Sequence, residues 1–599
     1  MFQDFTATTR PDQGPPRLAR LRETLTQEGL DGFIVPRADA HQGEYVAAHD
    51  ERLAWLTGFT GSAGFAVILA DKAGVFVDGR YREQVKAQVA DCFTPLDWPE
   101  LTLGDWLLRE VQGSARIGFD PWLHTVGQIE SLEKTLRDSG IALVGSANMV
   151  DRIWEDQPDP PTAPAIAQPL EFAGEPHSEK RARLAAQLAD AGQACTLLTQ
   201  PDSIAWLLNI RGQDIPRNPI AHSFALLHSD SSVDLFMDPV KLETLEDHLG
   251  DAVRVHAPDV LRPTLRSLDG PVRLDKVTTP VLLAETLVEA GITLQWGSDL
   301  CALPKARKNA TEIAGTTEAH LRDGAAMCDF LAWFDDAAET GITEIDVVRK
   351  LEESRRATNA LLDISFDTIA GTGPHGAVIH YRVTEETNRT LAKGDLLVLD
   401  SGGQYRDGTT DITRTLPIGT PGDAEREAFT RVLKGMIGIS RLRFPRGLAG
   451  QNLDAIGRIP LWEAGLDFDH GVGHGVGVYL CVHEGPQRFS RLSDVPLEPG
   501  MILSNEPGYY RPGAFGIRIE NLVVVEEAPA LPGGDAHRKM LQLRTLTYCP
   551  IDRRLIDPGM LSSVEVKWLD SYHETCRRVL RGRVASSTEM WLDRATAPL

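Results

Sequence analysis

The chain carries one helix-to-strand pattern twice, as an approximate duplication. Leu21–Val35 (LRETLTQEGLDGFIV) runs as an amphipathic helix pattern into a short apolar strand, with Gly29 and Gly32 near the junction. Leu184–Thr199 (LAAQLADAGQACTLLT) has the same cadence, and Ala54-Trp55-Leu56 is echoed 151 positions later by Ala205-Trp206-Leu207. Self-similarity of this kind marks a duplicated unit, and helix alternating with strand marks it as α/β. The apolar stretches Phe65–Leu69 and Val75–Val77 have strand length, and a helix is expected from Arg82. A proline-rich linker, Gln157–Gln168, separates the two copies.

At about 150 residues per domain, 599 residues leave room for three or four domains. Two are taken by the repeat, over 1–156 and 169–302. A third unit begins near Leu303, where PKARKNATEIAG leads into a helix carrying Met327, Phe330, Leu331 and Phe334 at helical spacing. A second helix is expected from Thr343, an N-cap with Asp346 three residues on. Beyond Asp363 the pattern turns strand-like. We place this unit at 303–540, with a shorter extension at 541–599.

Composition narrows the function. Hydrophobic residues at 42% and charged residues at 24% describe an ordinary globular protein. A net charge of −24 argues against nucleic acid, whose phosphates need a clustered basic surface. The start, MFQDFTATTRPDQGPPRLAR, lacks the basic region and apolar core of a secretion signal. No stretch approaches the roughly 18 apolar residues of a membrane span. A cytoplasmic protein with no membrane partner is expected. Seven cysteines without C-x-x-C spacing read as reduced, packed thiols. Cys481 is read in the same way, although histidines lie near it.

Four short motifs fall between His375 and Glu520. Asp400-Ser401-Gly402-Gly403-Gln404-Tyr405 and Asp411-Ile412-Thr413-Arg414-Thr415 place two aspartates 11 residues apart. That spacing suits two antiparallel strands with a turn at Asp407-Gly408 and both carboxylates meeting at one point; alone, such aspartates are usually exposed turn residues. His470-Gly471-Val472-Gly473-His474 carries alternate glycines that permit close backbone approach. Val482-His483-Glu484-Gly485-Pro486 adds a histidine that by itself reads as a buried, satisfied one. Ser504-Asn505-Glu506-Pro507-Gly508-Tyr509-Tyr510 and Gly516-Ile517-Arg518-Ile519-Glu520-Asn521 add two glutamates in apolar surroundings, costly unless paired or bound to a cation. A surface salt bridge to Arg518 is the bland alternative.

Two aspartates, two glutamates and one histidine make an oxygen-rich, hard-to-borderline ligand field. It suits Mn²⁺, Co²⁺ or Zn²⁺ better than a thiolate-seeking ion. Four carboxylates balance two divalent cations, and two ions roughly 3.5–4 Å apart share a bridging hydroxide.

Together these segments resemble the pita-bread metallopeptidases, and within them the three-domain cytosolic Xaa-Pro aminopeptidases. The resemblance rests on the order Asp, Asp, His, Glu, Glu and on DSGGQYRDGTTDITRT, HGVGHGVG, VHEGP, NEPGYY and FGIRIEN. It extends to DAHQGEYV, WLTGFTGSAGF and VDGRYREQ, to IAWLLNIRG, and to GTGPHGAVIHYRVTEETNRTL. It implies two creatinase-N-like α/β domains followed by a pita-bread catalytic domain. The metal ligands would be Asp400, Asp411, His474, Glu506 and Glu520, with Glu506 also the general base. His380 and His483 would hold the substrate around the scissile bond, His474 would border it, and Arg80 would contact it from the N-terminal domain. Arg518 and His470 would orient ligands from behind. His375 departs from the family pattern and receives no role.

The reaction implied is hydrolysis of the N-terminal Xaa-Pro bond by a hydroxide bridging two divalent ions, Mn²⁺ before Zn²⁺ or Co²⁺. The substrates would be peptides with proline at position 2. The tail Leu546–Leu580, with Trp568, Tyr572 and His573, implies a homodimer. A prolidase restricted to Xaa-Pro dipeptides is the nearest rival. A metal-free creatinase-like hydrolase and a non-catalytic peptide-binding protein of the same fold are the others.

Overall fold

The computed structural model describes every residue except 244 and 536. The chain divides into two compact units. One comprises Thr8–Leu170 and Glu175–Ala302; the other comprises Met1–Ala7, Glu171–Gly174 and Leu303–Leu599.

The first unit holds the repeat. Its strands are β1 (Gly32–Pro36), β2 (Phe65–Leu69), β3 (Ala73–Val77), β4 (Thr94–Asp97), β5 (Ala115–Phe119) and β6 (Ile141–Gly145). They form one sheet in the order β4-β3-β2-β1-β5-β6. The second copy has β7 (Cys195–Leu198), β8 (Phe224–His228), β9 (Val233–Phe236), β10 (Val253–His256), β11 (Val272–Leu274) and β12 (Leu294–Trp296), in the order β10-β9-β8-β7-β11-β12. The two orders superimpose strand for strand. So do the directions: β1 is antiparallel to β2 and parallel to β5, and β7 is antiparallel to β8 and parallel to β11. The duplication read from a helix-strand cadence is a duplication of topology.

Strand alternation explains how each sheet is covered on both faces. Phe33 and Val35 pack on one side with Leu18, Leu21 and Leu25 of α1 (Gly14–Gln27). Ile34, Val67 and Phe76 pack on the other with Trp106, Leu107 and Ile129. A side-chain period of two in the strand meets a helical stripe on each face. The equivalent second-copy helix is α2 (His177–Asp190). The linker carries one short strand, Ile166–Ala167, paired with Ile210–Arg211.

The second unit is larger. Its first helix, α3 (Ala310–Ala337), starts at a reciprocal cap between Asn309 and Glu312. The next, α4 (Glu344–Arg356), starts at the expected Thr343, capped reciprocally with Asp346. Met327, Phe330, Leu331 and Phe334 are buried against Val348 and Leu351 of α4 and against a three-stranded sheet. Each such apolar side chain contributes about 1.5–3 kcal/mol of burial. That sheet is β13 (Ile369–Thr372), β14 (Leu396–Ser401) and β15 (Ile412–Pro417). Phe5 belongs to the same core, so the first seven residues pack with this unit rather than with the repeat they precede in sequence.

A six-stranded sheet completes the unit. Its strands are β16 (Arg443–Pro445), β17 (Gly473–Gly475), β18 (Glu484–Phe489) and β19 (Ile502–Asn505), with β22 (Asn521–Glu527) and β23 (Met540–Thr545). The order is β16-β23-β22-β19-β17-β18. A hairpin of β20 (Gly508–Arg511) and β21 (Phe515–Arg518) stands beside it. Phe429, Val432, Leu433 and Met436 of α5 (Asp423–Ser440) pack on Leu503, Ile517 and Val523.

One expectation needs correction. The turn after Asp400 is Arg406-Asp407, with Tyr405 paired to Gly408. The tail residues face inward: Tyr572 and His573 of α6 (Ser563–Leu580) are buried, and Trp568 stacks on Tyr572 at 5.3 Å. These side chains bind the extension to its own catalytic unit. Among the described residues, no helix is long and apolar enough to cross a membrane. Among the described residues, no disulfide joins any of the seven cysteines.

Candidate metal centre and active site

Asp400 lies near the end of β14, opposite Thr413 on β15, and Asp411 immediately precedes β15. The small hairpin between them returns the chain so that both aspartates reach one place. His474 sits in β17, with Ser504 of β19 beside it: His474 N donates to Ser504 Oγ at 2.9 Å. Gly473 makes this approach possible, since a Cβ there would lie 1.9 Å from Ser504 O. A register shift falls between His474 and Gly475, a bulge of the kind that re-aims a side chain. Glu506 follows β19, and Glu520 lies between β21 and β22.

The five side chains converge. His474 Nε2 is 3.4 Å from Asp411 Oδ2 and 3.3 Å from Glu506 Oε1. Ligand atoms of Asp411, His474 and Glu520 all lie within 4.8 Å of one another. Thr413 Oγ1 donates to Glu520 Oε2 at 2.9 Å. Arg518 Nη2 donates to Asp400 Oδ2 at 2.6 Å. His474 Nδ1 faces Gly475 O at 2.9 Å, which assigns the proton to Nδ1 and leaves the Nε2 lone pair toward the carboxylates.

The electrostatics ask for a cation. Burial, then the charges of Asp400 and Glu506, push the Asp411 carboxyl well above the usual range. Burial, then Asp411, Glu506 and Asp400, do the same to Glu520. Asp400 Oδ1, Asp411 Oδ1 and Glu520 Oε1 are buried and accept no hydrogen bond from the described residues. Buried acceptors without donors are costly, and hard divalent ions match an oxygen-rich set with one imidazole. The donor set fits the two cations that the sequence implied.

The supporting residues are equally specific. His470 Nε2 meets Tyr510 Oη at 2.9 Å, and Tyr510 Oη accepts from Arg518 Nη1 at 2.6 Å. His470 is thereby linked to Asp400 through Tyr510 and Arg518. His483 packs edge-on against His474 at 4.3 Å between ring centroids. Arg80 belongs to the first unit, where it pairs with Asp78 at 2.7 Å and Glu44 at 3.5 Å. His380 is half-buried on the segment after β13. Glu506 also has a protein partner, since Ser504 Oγ donates to its Oε1 at 3.0 Å.

Sequence reasoning missed Tyr510, Thr413 and Ser504 as supports, although all three lie within the quoted motifs. It also missed Lys308, which pairs with buried Glu484 beside His483. A second cluster, Asp39, Asp50 and His222, lies in the first unit. There Asp50 is neutralised by Arg52 at 2.8 Å and Asp39 faces His222 at 3.4 Å, so it is an ion-pair network.

Residues 314–527 match the model of metallopeptidase family M24, and 539–599 match its C-terminal region. Residues 17–153 and 156–312 each match a creatinase/prolidase N-terminal domain. A probable Xaa-Pro aminopeptidase P of Aspergillus fumigatus is 38% identical, over 97% of this chain and 92% of that protein. The chain belongs to metallopeptidase family M24. A second M24 relative, the probable Xaa-Pro aminopeptidase P of Coccidioides posadasii, is 36% identical over 99% of this chain and 95% of its own length. The X-prolyl aminopeptidase of Caenorhabditis elegans, described as a cytosolic enzyme with a di-nuclear active site, superimposes with a TM-score of 0.93. It is 32% identical and covers 98% of this chain and 100% of its own. The expected succession of two creatinase-type α/β domains and a pita-bread catalytic domain is therefore the fold of this chain.

Proposed function

We propose that the protein is an aminopeptidase that hydrolyses the bond between an N-terminal residue and a proline at position 2. The observation that carries this is the buried convergence of Asp411, His474 and Glu520, with donorless oxygens on Asp400, Asp411 and Glu520, in a chain collinear with Xaa-Pro aminopeptidases.

Asp400, Asp411, His474, Glu506 and Glu520 would hold two divalent ions, Mn²⁺ before Zn²⁺ or Co²⁺. Bound there, such ions lower the pKa of a water and polarise the scissile carbonyl. Glu506 takes the proton on the carboxylate that Ser504 holds by Oε1 and passes it to the leaving proline nitrogen. His380, His474 and His483 border the substrate, and His380 and His483 offer N–H groups to the developing oxyanion. The substrate's ammonium is favoured by a site rich in carboxylates. An imide bond to proline has no N–H and a fixed ring, so this site is shaped for a bond that ordinary aminopeptidases fit poorly. Arg80 would contact the substrate from the N-terminal domain. We further propose a cytoplasmic homodimer. Sedimentation at micromolar concentration tests the dimer, and a single monomeric species would refute it.

The direct test is Glu506→Gln assayed on a Gly-Pro-Xaa peptide with added Mn²⁺. Loss of about 10²-fold or more in turnover is expected for a missing general base. Unchanged turnover would remove Glu506 from this role.

A further inference from the structure

Glu344 is the first residue of α4, and it is wholly buried. Its carboxylate gathers donors from one stretch of chain. Oε1 accepts from Thr372 N at 2.8 Å and from Thr372 Oγ1 at 3.0 Å. Oε2 accepts from Tyr381 Oη at 3.0 Å and from Arg389 N at 3.2 Å. His375 Nδ1 lies 3.0 Å from both oxygens.

These donors bracket His380 on both sides. Thr372 and His375 precede it, Tyr381 adjoins it, and Arg389 follows. The His375 ring also stacks on Tyr381 at 4.4 Å between centroids. The helix start grips the far end of the stretch as well: Glu344 N donates to Arg389 O at 3.0 Å, and Ile345 N to Asn388 Oδ1 at 3.1 Å. The opposite side of the stretch is pressed on β21, the strand of Arg518. A Cβ on Gly516 would lie 1.6 Å from Gly376 O.

A packing anchor needs no charge, and burying a carboxylate is expensive unless every lone pair is used. Here the lone pairs are spent on one segment, and that segment carries a candidate substrate histidine. The N-terminus of α4 adds a field that favours negative charge.

We propose that Glu344, clamped by His375, is a positioning residue that fixes the 372–389 segment so that His380 meets the substrate in a single orientation. His375, which received no role from the sequence, is thereby accounted for. The proposal rests on the reading of His380 as a substrate-contacting residue.

The test is a double-mutant cycle on the metal-loaded enzyme, with Glu344→Gln, His380→Ala and the two combined, assayed on a Gly-Pro-Xaa peptide. Metal content and melting temperature are measured in parallel. Glu344→Gln should keep two ions and its fold yet lower kcat roughly tenfold or more, as small misplacements of a catalytic contact do. In the His380→Ala background the same change should cost nothing further, because both act through one group. Losses that multiply, or a Glu344→Gln enzyme with wild-type kcat, would overturn the proposal. If Glu344→Gln does not fold, His375→Leu and Tyr381→Phe each remove one donor, and the cycle is run with them. Wild-type kcat for His380→Ala alone would remove the role of His380 and this proposal with it, while leaving the metal-dependent reaction standing.

Discussion

Arg518 ties two candidate ligands to one plane. Its Nη2 donates to Asp400 Oδ2 at 2.6 Å, and its Nε to Thr413 Oγ1 at 3.2 Å. Thr413 in turn donates to Glu520 at 2.9 Å. A guanidinium does this because its donors point along fixed, coplanar directions; an ammonium cannot.

Arg518→Lys is therefore expected to keep the charge and lose the geometry. Metal affinity or kcat/KM should fall by about 10–100-fold, the usual effect of removing a residue that orients a ligand. Metal content after dialysis, together with kcat/KM at saturating Mn²⁺, checks this. Wild-type values for both would show that charge alone suffices.

Arg414 makes an analogous prediction for stability. It is buried and donates to the carbonyls of Thr413, Glu520, Cys549 and Pro550, to Asn521 Oδ1 and to Tyr572 Oη. Lysine has three donors on one nitrogen. Arg414→Lys should cost about 3 kcal/mol, since several acceptors lose a charged donor while remaining buried. A denaturant midpoint unchanged within error would contradict this.

His573 sets a pH dependence. Burial first, then the charges of Arg414, Arg553 and Arg577, hold it down to about 3. Neutral, it accepts from Ile551 N at 3.1 Å. In the unfolded chain it takes a proton near pH 6.5. Its contribution is thus complete above about pH 6.5 and is lost as pH falls toward 3, at up to roughly 1.4 kcal/mol per pH unit. His573→Gln keeps an acceptor without the titration, so its stability should fall less steeply between pH 6.5 and 4.5. Urea unfolding across that range measures both slopes, and equal slopes would contradict the assignment.

These cases show which contacts a sequence makes legible. The convergence of the candidate ligands was readable because metal chemistry demands particular residue types, and those types stand in short motifs on neighbouring strands. The repeat was readable because helix and strand periods survive divergence of side chains. Arg414 gave no such signal: it reaches Tyr572 across 158 positions. The Lys308–Glu484 pair spans 176, and the Glu344–His375 contact joins a helix start to a loop. Phe5 was hidden for the same reason, since the opening residues lack any periodic pattern and join a core built 300 residues later. The inward packing of the tail's Tyr572 and His573 was not legible either, because a buried side chain and an interface side chain have the same composition.

The central claim is a metal-dependent cut before a penultimate proline. Its most direct test compares Gly-Pro with Gly-Pro-Xaa peptides of increasing length, using chelated protein before and after Mn²⁺ is restored. Hydrolysis of the tripeptide and longer peptides at the first bond, absent after chelation and recovered with Mn²⁺, is the predicted result. Turnover confined to the dipeptide, or turnover that persists in metal-stripped protein, would contradict it.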